Sequence, residues 1–297
     1  MTRTLLLLLA SLTLGAAEKP AGHSFLMLGG LTQIVDASGR VTWKYPAATR
    51  DGHVLPNGNL LLTLSKNKTY PGGAVVEVTR GQKIVWEYKG TQSEVNTAVL
   101  LANGNIMLTE AGDKPRLLEV ARDGAIKVEI PLGCQVTNHH MQSRMARPLP
   151  NGHYLVPQDK TVREYDGSGK VVWERKNPES SLDNRSFCCL RDAAGHTLIS
   201  LTVGNHLIEV DAEGKIVWEL RDGDLPGVPV NRTTALAWLP NGNIVFSNYA
   251  ARAPQPKLVE ITREKKIVWT YVDATKEGVH EFQLLDEAGK PLAGVLR

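Results

Sequence analysis

A tryptophan phrase recurs along this chain at nearly constant spacing, and no other feature limits the fold so strongly. Five copies read Val41-Thr42-Trp43, Ile84-Val85-Trp86, Val171-Val172-Trp173, Ile216-Val217-Trp218 and Ile267-Val268-Trp269. A sixth, Ile126-Lys127-Val128, carries valine at the aromatic position, and successive copies stand 43, 42, 45, 45 and 51 residues apart. A period of this size indicates a stack or ring of like units, because one such unit cannot bury its apolar face alone.

Two kinds of turn punctuate each unit. Ahead of the aromatic position come Asp36-Ala37-Ser38-Gly39, Asp166-Gly167-Ser168-Gly169 and Asp211-Ala212-Glu213-Gly214. Between aromatic positions come Leu55-Pro56-Asn57-Gly58-Asn59, Leu101-Ala102-Asn103-Gly104-Asn105, Leu149-Pro150-Asn151-Gly152-His153 and Leu239-Pro240-Asn241-Gly242-Asn243, with Ala194-Gly195-His196 as a weaker copy. Asn-Gly between apolar runs marks a hairpin. Each unit therefore reads as four short strands: A into the Asn-Gly turn, B out of it, C into the Asp-x-x-Gly turn, and D with the tryptophan. Runs such as His206 to Val210 have strand composition. No stretch holds a capped 3.6-residue period, so almost no helix is expected.

Four strands in 40 to 50 residues is the arithmetic of a propeller blade. The first blade is incomplete at its start, with only Ser24 to Leu28, Leu31 to Val35 and Val41 to Tyr45. The missing A strand is predicted at His280 to Leu285, ahead of Gly289. The expected fold is thus an all-β, six-bladed β-propeller with four antiparallel strands per blade. Its ring is closed by N- and C-terminal strands in one composite blade, which leaves no open sheet edge at the seam.

Composition narrows the function classes. The 34 Lys plus Arg against 31 Asp plus Glu give +3 over 297 residues, with signs interspersed. That is no basic stripe, so no nucleic-acid partner is expected. Three cysteines exclude a disulfide-dense scaffold. Met1 to Ala17 reads as a secretory leader: Arg3, an apolar stretch from Leu5 to Leu14, and Gly15-Ala16-Ala17 for cleavage before Glu18. Residues 18–297 are then expected as a single propeller domain, secreted or periplasmic, monomeric and without a membrane span.

The phrase Asp-x-x-Gly-[Lys/Arg]-x-x-Trp occurs at Asp36 to Trp43, Asp166 to Trp173 and Asp211 to Trp218. It resembles the tryptophan-docking repeat of quinoprotein-like propellers, the superfamily of the pyrroloquinoline-quinone (PQQ) dehydrogenases. The Leu-Pro-Asn-Gly-Asn phrases are similar to those of arylsulfotransferase-type propellers. The resemblance implies that each tryptophan lies between adjacent blades and buries a large area there. The quinone dehydrogenases build their cofactor pocket from long inter-blade insertions. The near-minimal blades here give no reason to expect PQQ, and no other cofactor is assigned. Cys188-Cys189 resembles the adjacent pair near the quinone in some of those enzymes. It falls in a predicted inner strand, where two small apolar residues, or one cysteine bridged to Cys134, are the simpler readings.

In a propeller, strand A lines the central channel and begins at one rim, so the segments preceding strand A share one mouth. Those segments hold Arg50, Asp51 and His53; Glu94 and Asn96; His139, His140, Gln142 and Arg144. They continue with Asn184 and Arg185, Asn231 and Arg232, and His280 with Glu281. The candidate ligand site is His53, Glu94, His139, His140, Arg185, Asn231, Arg232 and His280. Converging arginine, histidine and asparagine suit an anionic or sugar-like ligand, since arginine forks onto carboxylate, phosphate or sulfate. His53, His140 and His280, with Glu94, form an alternative metal set, although no short ligand spacing accompanies them, and no metal is assigned. No catalytic residue is assigned either, because no nucleophile, metalloprotease or phosphate-loop motif occurs. Three classes stay open: a module binding a small polar or anionic ligand or an envelope protein; an enzyme (transferase, lyase or hydrolase) acting in the same mouth; and an envelope assembly scaffold.

Overall fold

The computed structural model describes residues 22–180 and 182–297, so the leader assigned to 1–17 lies outside the described residues. Among the described residues, strands form six four-stranded antiparallel sheets arranged as a propeller. Blade 1 spans 49–89, blade 2 94–131, blade 3 147–176, blade 4 186–221 and blade 5 233–271. Blade 6 is composite: its inner strand is Val279–Leu285, and Ser24–Gly29, Thr32–Val35 and Val41–Tyr45 follow it outward. The seam pairs Ser24 with Leu285 and Leu28 with Glu281. Among the described residues the only helical turn is His139–Met141. No helix among the described residues is long and apolar enough to cross a membrane.

Burial explains the sequence pattern. The middle strands of a blade are covered on both faces by neighbouring blades, so Leu60–Leu64 and Ala74–Val78 are buried throughout. Outer strands meet a neighbour on one face only. In Ile84–Lys89 the half-buried positions are Trp86 and Tyr88, and the others are exposed.

The Asn-Gly hairpins are not two-residue turns. The Gly58 N–H donates to the Leu55 carbonyl (2.9 Å), and the Leu55 N–H to the Asn59 carbonyl (2.8 Å). Gly58 takes φ 84° while Asn57 stays at negative φ, which is a three-residue loop with glycine in the left-handed position.

The tryptophans do lie between blades, and they belong to a repeated latch. The Trp43, Trp86, Trp173 and Trp218 indole N–H groups donate to carbonyls of Arg80, Arg122, Ala212 and Arg263 in the following blade, at 2.8 to 3.0 Å. Arg122, Arg191 and Arg263 of that blade lie over the Trp86, Trp173 and Trp218 rings. Each of these arginines also ion-pairs with a buried strand-C glutamate of the tryptophan's own blade: Glu77, Glu164 and Glu209. The A–B turn binds the same glutamate from within. Asn59 donates to Glu77 (2.7 Å), and His153 and His196 bond Glu164 (2.6 Å) and Glu209 (2.8 Å). In blade 2, where Val128 replaces tryptophan, Tyr154 of blade 3 donates to Glu119 (3.2 Å). The turns and the tryptophans are legible in the sequence, whereas the glutamates joining them read there as ordinary solvated residues.

All three cysteines are free thiols; Cys188 and Cys189 are buried in the blade 4 inner strand. Burial pushes the Cys189 thiol up to about 12, which makes it inert.

Candidate functional site

The site begins with an irregularity. Blades 2 and 3 are joined by a long segment, 132–146, and the blade 3 inner strand that follows is only Arg147–Pro148. The segment is pinned by Gln142, which accepts from the Gly112 N–H (2.9 Å) and donates to the Gly112 and Val136 carbonyls (3.0 and 3.1 Å). Asn138 caps the short turn by accepting from the His140 N–H (3.1 Å). So held, the segment brings His140, Met141 and Arg144 over the mouth of the channel. A cavity of about 370 Å³ lies there, with walls from blades 1, 4, 5 and 6 as well. This volume suits a small organic ligand.

Arg144 is the feature hardest to explain as scaffold. It is 6 % exposed, and among the described residues its guanidinium makes no hydrogen bond and its enclosed Nη1 has no partner. It rests over the Phe187 ring, 5.2 Å from the centroid. Burial, with the Arg50 charge beside it, pushes its ionisation down to about 9, so it stays cationic at neutral pH. A buried, unpartnered charge of this kind is costly unless a ligand completes it.

The neighbouring charges are partly neutralised. Arg50 pairs with Glu94 (3.1 Å), which also meets His140 (3.1 Å) and Lys66 (3.5 Å). Burial works against the Glu94 carboxylate, but the His140 hydrogen bond and the Arg50 charge outweigh it and hold the group at about 2. Arg185 is engaged by Asp183 (2.6 Å) and Asp159. Arg232 is exposed, makes no ion pair among the described residues, and sits in the left-handed region at φ 49°. Its N–H donates to Asn205 Oδ1 (2.8 Å). His280 meets the Arg50 carbonyl through Nδ1 (2.8 Å). A carbonyl only accepts, so Nδ1 carries the proton and Nε2 is the free lone pair. Burial first, then Arg144 and Arg50, lower its pKa to about 3, so the ring is neutral.

Of the residues expected at the mouth, His140, Arg185, Arg232 and His280 line the cavity, together with Arg50 and Arg144. Glu94 stands just behind them as their counter-charge. His139 points to Asp113 (3.2 Å) and lies off the cavity. Asn231 is held at its N–H by Asn248 Oδ1 (2.9 Å) and does not line it. His53 lies deeper in the channel. The residues of the alternative metal set have these partners: His53 bonds Arg297, His140 bonds Glu94 and His280 bonds the Arg50 carbonyl. No three His, Cys, Asp or Glu side chains gather as a metal set among the described residues.

The cavity is also lined, unforeseen from the sequence, by residues at the ends of four B strands: Gly29-Gly30, Ser65, Thr202-Val203 and Tyr249. The available signal was topological. In an antiparallel blade strand B ends where strand A begins, so both flanks belong to one rim.

Below the cavity the channel holds a buried charge cluster. Arg147 forks onto Asp51 (2.9 Å) and Glu281 (3.0 Å), and both carboxylates have zero exposure. Burial opposes the Asp51 charge, but Arg147 and the other groups around it keep its carboxyl well below the usual range. Burial pushes Glu281 the other way, up to about 7, against the pull of Arg297 and Arg147. The folded protein therefore retains a proton that the unfolded chain releases above its ordinary 4.5. This group's stabilising effect is complete below that value and lost as pH rises through about 7. The unfolding free energy of the native protein, minus that of Glu281→Gln, is expected to fall between pH 5 and pH 8 in urea titrations; parallel curves would remove this assignment.

The family model described as outer membrane protein assembly factor BamB, PQQ_2, matches residues 135–293, more than half of the chain. No curated protein matches significantly. A Bacteroides caccae protein of unknown function superposes with TM-score 0.75 at 22% identity, over 90% of this chain and 100% of that one. Virginiamycin B lyase from Staphylococcus aureus gives 0.61 at 15%, over 93% and 94%. BamB from Moraxella catarrhalis gives 0.50 at 9%, over 93% of each. At these identities the superpositions speak to the propeller fold.

Proposed function

Since the chain belongs to the PQQ_2 family of outer membrane protein assembly factor BamB, we propose that it is an exported envelope propeller that binds a small anionic ligand in the rim cavity. The leader-like segment Met1 to Ala17 and the family description support export. The observation that carries the ligand class is Arg144, a buried guanidinium with no protein acceptor facing a cavity of ligand size. Arg232 adds a second uncompensated charge at the rim, and Phe187 and Tyr249 offer apolar surface. The ligand is thus a carboxylate, phosphate or sulfate on a small, partly apolar body.

The test is Arg144→Met with a thermal-shift screen of such anions. Removing an unpaired buried charge is expected to raise the Tm of the ligand-free protein. The same change is expected to weaken binding of any anion that stabilises the native protein by about 100-fold. A variant that loses stability yet keeps anion binding overturns the reading.

A second reading, catalysis in the same cavity, is supported by His280. Its neutral ring presents an unprotonated Nε2 beside two guanidinium groups; they depress its basicity in the empty cavity, and an anionic substrate neutralising them would raise it toward that of a general base. The structurally similar virginiamycin B lyase is itself an enzyme on a propeller. If this reading holds, His280→Gln keeps anion binding within about threefold while turnover falls at least 100-fold. A variant that turns over a substrate found for the native protein at an undiminished rate removes it.

A further inference from the structure

The channel floor contains a second recognition site, built from residues separate from the anion cavity, and the chain itself occupies it. After the blade 6 inner strand, residues 286–297 turn back across the channel. Leu292 donates to the Leu284 carbonyl (3.0 Å), and Leu296 and Trp238 exchange two backbone hydrogen bonds (2.9 and 3.0 Å). This strap inserts Arg297 into the channel, where its side chain is 7 % exposed.

The guanidinium there meets a full set of acceptors. Nε donates to the Phe282 carbonyl (2.5 Å), and Nη2 donates to the Gly52 carbonyl (2.6 Å) and more distantly to Asp51 Oδ1 (3.4 Å). Nη1 meets His53 Nδ1 (2.6 Å). Arginine can only donate, so Nδ1 is the acceptor and the His53 ring is neutral. Glu281 Oε1 stands 3.7 Å from Nε. Two backbone carbonyls, an imidazole lone pair and two carboxylates converge on one planar cation. The remaining cation, Arg147, already binds both carboxylates on their other oxygens. With Arg297 withdrawn, the Phe282 and Gly52 carbonyls and the His53 lone pair lose this donor, and Glu281 can ionise only as a buried charge with no counter-ion of its own.

We propose that the channel floor is a guanidinium-binding site, selective for alkylguanidinium or arginine side chains, which the chain fills in cis with Arg297. The strap is then a plug, held by a few backbone bonds and one cation, that competes with any free guanidinium compound for the floor. Selectivity follows from shape. A planar fork satisfies acceptors on three sides, whereas an ammonium group offers three donors from one point.

Chemical rescue tests the site. Arg297→Ala is expected to lower Tm by about 10 °C, the scale of several buried acceptors left without their donor in a chain of this size. Methylguanidinium chloride at about 20 mM is expected to restore at least half of that fall, saturating as one site. Sodium chloride or methylammonium chloride at the same ionic strength is expected to restore little, and the native protein should gain nothing from any of the three salts. Arg297→Met, which keeps the apolar stem, repeats the experiment if the alanine variant is not recovered folded. Equal shifts with the three salts, or equal methylguanidinium shifts in native and variant proteins, overturn the proposal. Arg144→Met should leave the rescue intact, so this result is read apart from the anion site.

Discussion

Arg147→Met is expected to lower the free energy of unfolding by about 3–5 kcal/mol, the usual cost of removing one partner from a buried ionic cluster. Arg147 bonds Asp51 and Glu281 at 2.9 and 3.0 Å, closer than Arg297 stands to either, and neither carboxyl group reaches water. Without it, Arg297 alone faces both buried groups, the Asp51 carboxylate and a Glu281 that ionises only as pH passes about 7. The double variant Arg147→Met, Glu281→Gln should recover part of the loss, because the second change removes a carboxylate along with its lost partner. A urea titration of the four proteins in this cycle measures the coupling. A single variant within about 1 kcal/mol of native stability would show that the cluster does not hold the channel together. Additive single losses would show that the two groups do not share one network.

Trp218→Ala carries the next largest expected effect, about 3 kcal/mol or more. Three contacts disappear together. The indole packs on the core around Leu207, Leu236 and Phe246, and its N–H bonds the Arg263 carbonyl (2.9 Å). Its ring also lies under Arg263, whose charge centre is 4.7 Å from the ring centroid and which pairs with Glu209. Trp218→Phe keeps the apolar body and the cation's ring, so about 1 kcal/mol is expected from the lost hydrogen bond and smaller area. Equal losses in the two variants would place the tryptophan's value in the N–H rather than in packing. Blade 2 is the natural control. It has Val128 at this position and draws its inter-blade hydrogen bond from Tyr154 instead.

These two residues differ in how visible they are from sequence. Trp218 announces itself because its unit is repeated, and the same indole-to-carbonyl bond recurs in four blades. Glu209 repeats just as faithfully, as Glu77, Glu119, Glu164 and Glu260 do. A glutamate before a turn reads as a solvated residue, however, and only the packed blade shows it enclosed beneath the next blade's arginine. Arg147 has no such repeat. It lies at the end of an irregular connection, and no spacing foretells that Asp51, 96 positions away, and Glu281, 134 positions away, will meet it.

The candidate site divides in the same way. Arg50, Arg144, His140 and His280 were placed at one rim by counting back from each A–B turn. That count could not tell which of them would be neutralised. Arg185 is matched by Asp183 and Asp159, His139 turns outward to Asp113, and His53 drops below the cavity to Arg297. Arg144 keeps an enclosed guanidinium nitrogen with no acceptor among the described residues. Its status depends on the path of the 132–146 segment, which Gln142 fixes through Gly112 in a different blade.

By itself, the amino-acid sequence determined the six units, their four strands, the turns between them and the composite closure. All of these rest on local signals: glycine and asparagine at turns, β-branched residues in strands, and a period of 42 to 51 residues. Tertiary structure alone decided which charges are paired, which histidines are neutral, and that Arg297 fills the channel floor. The physical reason is that burial and electrostatic pairing depend on distances between residues far apart in the chain. A repeat specifies where each blade begins, but the ring decides what each blade meets at the centre.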